Sequence, residues 1–369
     1  VGDRWRVIDL PQVLVEGQAE AAPEGFFFHA SMAMRRDSQT AGAGEMPQKL
    51  LAELENLDKQ AAQANTPADQ AKYTEQRAEL LQKIADASKD PDQREMWVRQ
   101  LADMLSAAVQ SGAYDEGAKR LAALHERLAK NPADRDMAAY VKFRELTASY
   151  YLAMKAPKAD FVKVQANWMK TLEQFIADYP ASPDAAEAML QLAINEEFGG
   201  EEAAAKKWYG KIVSDFPQAP AAEKAAGALT RIDSVGKQIK LAGQSPLGSP
   251  VDLANYRGKV VLIQYWATWS TPAKTDMATL KELWNKYGRS FAIIGVNLDY
   301  EPENLKSYLA ENPLPWQQIY EKGGMDSRPA NALGILTVPT MILVDQQGRV
   351  VNRNVSTAEL EAELKKLIR

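Results

Sequence analysis

The stretch WATWSTPAK, Trp266–Lys274, lies between two segments of opposite character. Before it runs VVLIQY, a continuous apolar stretch of the kind that forms a buried strand. After it, TDMATLKELWNKY repeats apolar residues every three or four positions, which is typical of an amphipathic helix. Proline at position 272 suits the first turn of that helix. The pattern predicts a buried strand, Lys259–Ala267, that leads through a short loop into a helix, Pro272–Tyr287.

The segments that follow continue this alternation of strand and helix. FAIIGVNLD predicts a second buried strand, PENLKSYLAEN a helix, WQQIYE a short strand, and SRPANALGI a further helix. TMILVDQQGRVVNRN predicts a hairpin with Gly348 in its turn, because glycine accepts the turn conformation. Ser356 and Glu359 form a capping-box pattern that opens a last amphipathic helix. Strands separated by helices, then a hairpin, indicate a central mixed sheet flanked by helices.

Residues 234–369 resemble the TlpA/ResA branch of the thioredoxin-like family. The resemblance is carried by GKVVLIQYWATW, by Lys274 after the motif, by the pair Asp276-Met277, and by TVPT before the last strands. In that family the proline at the position of Pro339 is cis and faces the active-site loop. The resemblance therefore implies a thioredoxin fold in which Val338-Pro339 lies beside Ser270.

The two positions that are cysteine in the family's active site are Ser270 and Ala273, and the chain contains no cysteine at all. A dithiol site needs a thiolate held at a helix N-terminus and a second thiol that resolves the mixed disulfide. The Ser270 hydroxyl would need an adjacent base to become a nucleophile, and the two histidines, His29 and His125, lie outside this region. Gln264 occupies the position of a buried acid in many thioredoxins. Dithiol exchange is thus excluded, and no catalytic residue is predicted.

Three functions remain open for such a site. The first is a redox-inactive module that binds a protein or peptide partner, as suits a fold retained without its reactive atoms. The second is a thiol-disulfide oxidoreductase whose cysteines were replaced by Ser270 and Ala273. The third is an enzyme in which Ser270 holds the thiolate of a substrate. For the first, the predicted peptide-binding residues, around an exposed indole and a cis-proline loop, are Trp269, Ser270, Thr271, Pro272, Val338 and Pro339.

Residues 46–233 have a helical pattern rich in Ala, Leu, Glu, Lys and Gln. Helices are predicted to end before Pro132, Pro180 and Pro217, because a residue that precedes proline is disfavoured in the helical region. DYPASPDAAEAMLQLAINEEFGGEEAAAKKWYGKIVSDFPQAPAAEKAAGAL resembles tetratricopeptide-type repeats, although the intervals depart from that family's period. We predict a degenerate α-helical hairpin array, whose stacked pairs offer a second surface for a partner. Residues 1–45 are predicted to be extended or irregular.

Charge and composition restrict which partners, metals and cofactors the chain is predicted to bind. The net charge is −5, and the acidic excess lies before Ser234, which argues against a nucleic-acid partner. Without cysteine and with two histidines, neither a metal site nor a cofactor is predicted. No apolar run is long enough to span a membrane. The family resemblance implies a periplasmic or otherwise extracytoplasmic location, and leaves open a signal or tether before Val1 and the oligomeric state.

Overall fold

The computed structural model describes residues 45–64 and 66–368, which form two compact units divided between Ala188 and Met189. The predicted extended segment, residues 1–45, lies outside the described residues except for its last position. The second unit contains the predicted thioredoxin-like region together with the preceding helices from Met189 onward. The sequence-based domain boundary at 233/234 stays a prediction.

The first unit is helical, and its consecutive helices pack around buried leucines such as Leu81, Leu105 and Leu121. Proline in the first turn and a side-chain cap begin two of these helices: the Asp69 N–H donates to Thr66 Oγ1 at 3.1 Å, and the Gln93 N–H donates to Asp90 Oδ1 at 2.9 Å. The helices are α1 (Glu45–Ala61), α2 (Pro67–Ala87), α3 (Pro91–Gln110), α4 (Gly117–Ala129), α5 (Arg135–Lys155), α6 (Phe161–Asp178) and α7 (Pro183–Phe198), of which α7 continues into the second unit.

The second unit is built on a five-stranded mixed sheet of order β5-β4-β3-β6-β7. β3, β4 and β5 are parallel, whereas β6 is antiparallel to β3 and β7 is antiparallel to β6. A separate hairpin of β1 and β2 precedes the sheet. The strands are β1 (Ala242–Gln244), β2 (Pro250–Asp252), β3 (Val260–Trp266), β4 (Phe291–Asn297), β5 (Gln317–Tyr320), β6 (Thr340–Val344) and β7 (Val350–Asn352).

Helices cover the sheet of the second unit and complete the expected architecture. Successive residues of β3 face two different apolar clusters, because strand side chains alternate between the faces of a sheet. The predicted order of a helical region followed by a mixed sheet flanked by helices is confirmed. The helices of this unit after α7 are α8 (Glu202–Asp215), α9 (Pro220–Ile232), α10 (Thr271–Tyr287), α11 (Pro302–Glu311), α12 (Arg328–Asn331) and α13 (Thr357–Leu367).

The helix predicted through SRPANALGI is shorter than expected. Helix α12 ends near Asn331, and Gly334 adopts a positive φ of 52°. The Ile335 N–H bonds to the Ala330 carbonyl and the Gly334 N–H to the Asn331 carbonyl, both at 3.0 Å. This pair of bonds is the Schellman pattern that closes a helix at a left-handed glycine. The apolar residues after it therefore enter the core as irregular chain.

Helix α9 lies against this closure at two glycines. A Cβ atom added to Gly227 would lie 1.8 Å from the Asn331 carbonyl oxygen, and one added to Gly334 would lie 2.2 Å from the Ala228 nitrogen. Arg231 reinforces the contact by donating to the Leu333 carbonyl at 3.0 Å and to the Gly334 carbonyl at 3.2 Å. The backbones are in direct contact here, which only residues without a side chain permit.

Candidate functional site

The loop after β3 ends at Ser270, which caps helix α10. Its Oγ accepts a hydrogen bond from the Ala273 N–H at 3.4 Å and donates one to the Val338 carbonyl at 3.3 Å. Ser270 is 4% exposed and Ala273 is fully buried. The serine hydroxyl thus satisfies the free helix terminus, as an N-cap does, and joins it to the loop before β6.

The second half of the site is the loop that contains the cis peptide bond Val338-Pro339. The Thr340 hydroxyl donates to the Thr337 carbonyl at 2.7 Å and closes this loop on itself. Within the described part of the chain, the Val338 N–H has no acceptor. An unpaired backbone donor at a partly exposed position is available to a ligand.

The carboxylate of Asp299 holds the Trp266–Ser270 loop in place through hydrogen bonds from Thr268. Asp299 is fully buried, and its Oδ1 accepts from the Thr268 N–H at 3.0 Å and from the Thr268 hydroxyl at 2.8 Å. Asn297 donates to the other carboxylate oxygen at 2.7 Å. Sequence reasoning missed Asp299. Asp299 lies two residues after the end of the parallel strand β4, whose carboxyl end is beside that of β3, and this position was the available signal.

Two tryptophans flank this loop in opposite environments. Trp266 is fully buried, and its Nε1 donates to Gln318 Oε1 at 2.9 Å. Trp269 is 49% exposed, and Thr271 and Pro272 beside it are also exposed. Trp269, Thr271 and Pro272 are thus exposed beside the buried Ser270, whose hydroxyl contacts the Val338 carbonyl.

The interior behind Ser270 lacks an ionisable group at the position where the resemblance implies an acid. Gln264 is fully buried, its amide nitrogen lies 3.8 Å from the Met277 sulfur, and its Oε1 has no partner among the described residues. Asp276 is the nearest carboxylate along helix α10. Burial raises the pKa of Asp276, and a hydrogen bond from Thr357 at 2.9 Å partly opposes that rise.

Residues 45–64 and 66–368 present neither a metal-binding cluster nor a membrane-spanning helix. In these ranges no three His, Asp or Glu side chains cluster in a way that could bind a metal ion. Across the same residues, every helix is too short or too polar to cross a bilayer.

Comparison with known proteins bears on the C-terminal region. Residues 235–353 match the model of the AhpC/TSA family. The chain is 27% identical over 124 residues to the thiol-disulfide oxidoreductase ResA of Bacillus cereus, which covers 32% of this chain and 70% of that protein. It is 31% identical over 110 residues to human nucleoredoxin, covering 29% of this chain and 25% of the relative.

Among solved structures, a thiol-disulfide oxidoreductase from Bacteroides fragilis aligns with a TM-score of 0.33 and 28% identity, covering 35% of this chain and 98% of that one. Together with the match to the family model, the ResA similarity identifies the C-terminal region as a thioredoxin-like domain related to thiol-disulfide oxidoreductases. The absence of cysteine separates this chain from dithiol chemistry.

Proposed function

From a thioredoxin-like domain that has no cysteine, we propose a redox-inactive module that binds extended polypeptide between Trp269 and the Val338-Pro339 loop. The supporting observation is the hydrogen bond from Ser270 Oγ to the Val338 carbonyl, which joins the helix terminus and the cis-proline loop. Beside it lie an unpaired Val338 N–H and a half-exposed indole. Extended peptides add to such an edge through main-chain hydrogen bonds, with side chains packed on neighbouring surfaces.

The geometry gives less support to an enzyme that uses Ser270. The hydroxyl is buried and already makes two hydrogen bonds. Among the described residues no imidazole or carboxylate is bonded to it, so nothing there would activate it as a nucleophile. The helical array as a second partner surface and the extracytoplasmic location stay predictions.

A defined peptide assay tests this function in the full chain. Binding of fluorescent, unstructured peptides is measured by anisotropy for the parent and for Trp269→Ala, which removes the exposed indole. We expect saturable binding that Trp269→Ala weakens by about tenfold, since an aromatic anchor contributes at least 1 kcal/mol at many interfaces.

A cross-linking arm locates the bound peptide. Ser270→Cys places one thiol in the groove without a resolving partner at Ala273, and peptides that carry an activated disulfide should react with it and stay attached. Ser249→Cys is the control, because Ser249 is an exposed serine of the same unit in the turn between β1 and β2, strands that contact β5 on the far side of β3 from β6. Equal peptide attachment at both positions, together with no saturable binding, would refute the proposal.

A further inference from the structure

A small cavity adjoins the cis-proline loop within the second unit. Its volume is about 240 Å³, below the roughly 300 Å³ at which pockets for whole small-molecule ligands begin. Three of its residues come from the segment around the cis peptide, on both sides of Val338-Pro339. The lining residues are Glu197, Phe198, Arg231, Leu336, Thr337, Thr340, Arg353 and Asn354.

One carboxylate in the cavity wall is already neutralised. Arg231 donates to Glu197 through two nitrogens, at 2.5 and 3.0 Å, and the Tyr209 hydroxyl donates to the same carboxylate at 3.0 Å. Arg231 also uses its Nε on the Leu333 carbonyl. This pair therefore offers no excess charge to a ligand, and four of the five N–H groups of Arg231 are already hydrogen-bonded.

Arg353 is different, because one arm of its guanidinium is unsatisfied. Its Nη2 is paired with the half-exposed carboxylate of Glu202. Its Nη1 is buried and has no hydrogen-bond partner in the described part of the chain. A buried donor on a permanently charged group is costly to leave unpaired. Because the Arg353 side chain lines the cavity and is 21% exposed, a small rotation of its guanidinium would bring Nη1 to a ligand oxygen there and remove that cost.

The apolar part of the lining restricts the ligand further. Phe198 is 42% exposed although it is a large apolar side chain, and Leu336 is half-buried beside it. A ligand that carries a carboxylate and a small apolar group would satisfy Arg353 and cover these two side chains at once. A carboxylate accepts short, charge-assisted hydrogen bonds from a guanidinium, and unlike a phosphate it can be the end of a chain whose last side chain is apolar.

We propose that this cavity binds the C-terminal carboxylate of an extended polypeptide, with Arg353 Nη1 as its donor and the last side chain against Phe198 and Leu336. The proposal rests on the proposed function in one respect, since the polypeptide in the groove at Val338-Pro339 supplies the carboxylate. A free carboxylic acid with an apolar group shares the same chemistry and is the alternative source.

The experiment uses the full chain and three probes: the peptide Ala-Ala-Ala-Leu with a free C terminus, the same peptide amidated, and N-acetyl-leucine. Binding constants come from calorimetry, and amide NMR shifts at Thr337 and Asn354 locate the ligand. We expect the free acid to bind at least about tenfold more tightly than the amide, as loss of a charge-assisted hydrogen bond requires.

Three variants connect this difference to Arg353. Arg353→Gln should abolish the preference for the acid, whereas Arg349→Gln, the same change at an exposed arginine of the same hairpin, should keep it. Glu202→Gln removes the competing partner of Arg353 and should strengthen binding of the acid without changing that of the amide. A purely structural role for Arg353 predicts no such gain.

Each outcome decides the proposal. Equal affinity of acid and amide in the parent overturns the carboxylate site but leaves the groove intact, provided that both bind and Trp269→Ala weakens them. Binding of N-acetyl-leucine alone overturns the polypeptide as the source. Absence of binding by every probe overturns the carboxylate site, whereas the proposed function is overturned only when the anisotropy assay also shows no saturable binding of the longer peptides. Preference for the acid that disappears in Arg353→Gln and grows in Glu202→Gln supports the site.

Discussion

Replacing Gly227 by alanine tests how closely helix α9 packs against the end of helix α12, where Gly227 and Gly334 bring the two backbones into contact. The added Cβ would lie 1.8 Å from the Asn331 oxygen and 2.4 Å from the Gly334 nitrogen. Ordinary contact begins near 3.4 Å, so the two segments must separate by roughly 1.6 Å, the difference between these distances. Both neighbours are backbone atoms, and neither can rotate away.

The magnitude follows from two opposing effects. Alanine in place of glycine inside a helix gains about 0.5–1 kcal/mol, whereas overpacking of a close contact costs about 1–3 kcal/mol. We expect a net loss of about 1–2 kcal/mol. Gly210 is the matched control, because it lies inside the neighbouring helix α8 and an added Cβ there would meet nothing within 4 Å. Gly210→Ala should therefore raise the free energy of unfolding by the full 0.5–1 kcal/mol, roughly, that alanine gains over glycine inside a helix.

Scanning calorimetry of the full chain measures both variants, and hydrogen exchange of peptides 220–232 and 328–335 locates the change. A unit of this size loses about 2–4 °C of Tm for each kcal/mol. Gly227→Ala should lower the Tm and speed exchange in both peptides, whereas Gly210→Ala should raise the Tm slightly. If Gly227→Ala is as stable as Gly210→Ala with unchanged exchange, the close contact does not exist in solution.

Three further predictions concern chemistry, pH and boundaries. With dithiothreitol present, the full chain should reduce insulin no faster than a protein-free blank, since the chain has no thiol. A rate above that of the blank would contradict the hypothesis that the protein is redox-inactive. Burial raises the pKa of the Asp276 carboxyl group. The folded state therefore binds the carboxyl proton more tightly than the unfolded state does. The protonated carboxyl group favours folding at acid pH, and this stabilisation is lost as pH rises through the raised pKa. Asp276→Asn should therefore be more stable than the parent at neutral pH and lose this advantage in acid, as denaturant midpoints measured across pH would show; a constant difference would argue against the burial effect. Fragment 189–369 should unfold cooperatively, whereas fragment 234–369 should be less stable because it lacks the contacts of Gly227 and Arg231 with residues 331–334; equal midpoints would favour the boundary at 233/234.

The sequence predicted most of the sheet because its signals are local. The apolar runs of β3 and β4 and the capping box at Ser356 each need only neighbouring residues, and the structure has all three. The helix ends before Pro132, Pro180 and Pro217 are confirmed for the same reason. The length of α12 was wrong because its end depends on the left-handed conformation of Gly334, against which α9 packs from about a hundred residues away.

The candidate site was predictable only in part. Its position followed from the family resemblance, and the structure places Ser270 beside Val338. Asp299, Arg353 and the Glu197–Arg231 pair were not found, because each acts through partners distant in sequence. No period or motif brings Glu197, Arg231 and the Leu336–Thr340 loop together; only the tertiary packing does.

The hydrogen bonds from Thr268 to the Asp299 carboxylate mean that the shape of the Trp266–Ser270 loop depends on residues that take no part in sulfur chemistry. The residues that determine the shape of the loop are therefore different from the residues at positions 270 and 273, so the two sets can change independently. A lineage can exchange the residues at 270 and 273 without rebuilding the loop, since Ser270 caps the helix and Ala273 fills the core. Substitutions at these two positions would therefore leave the hydrogen bonds between Thr268 and Asp299 unchanged.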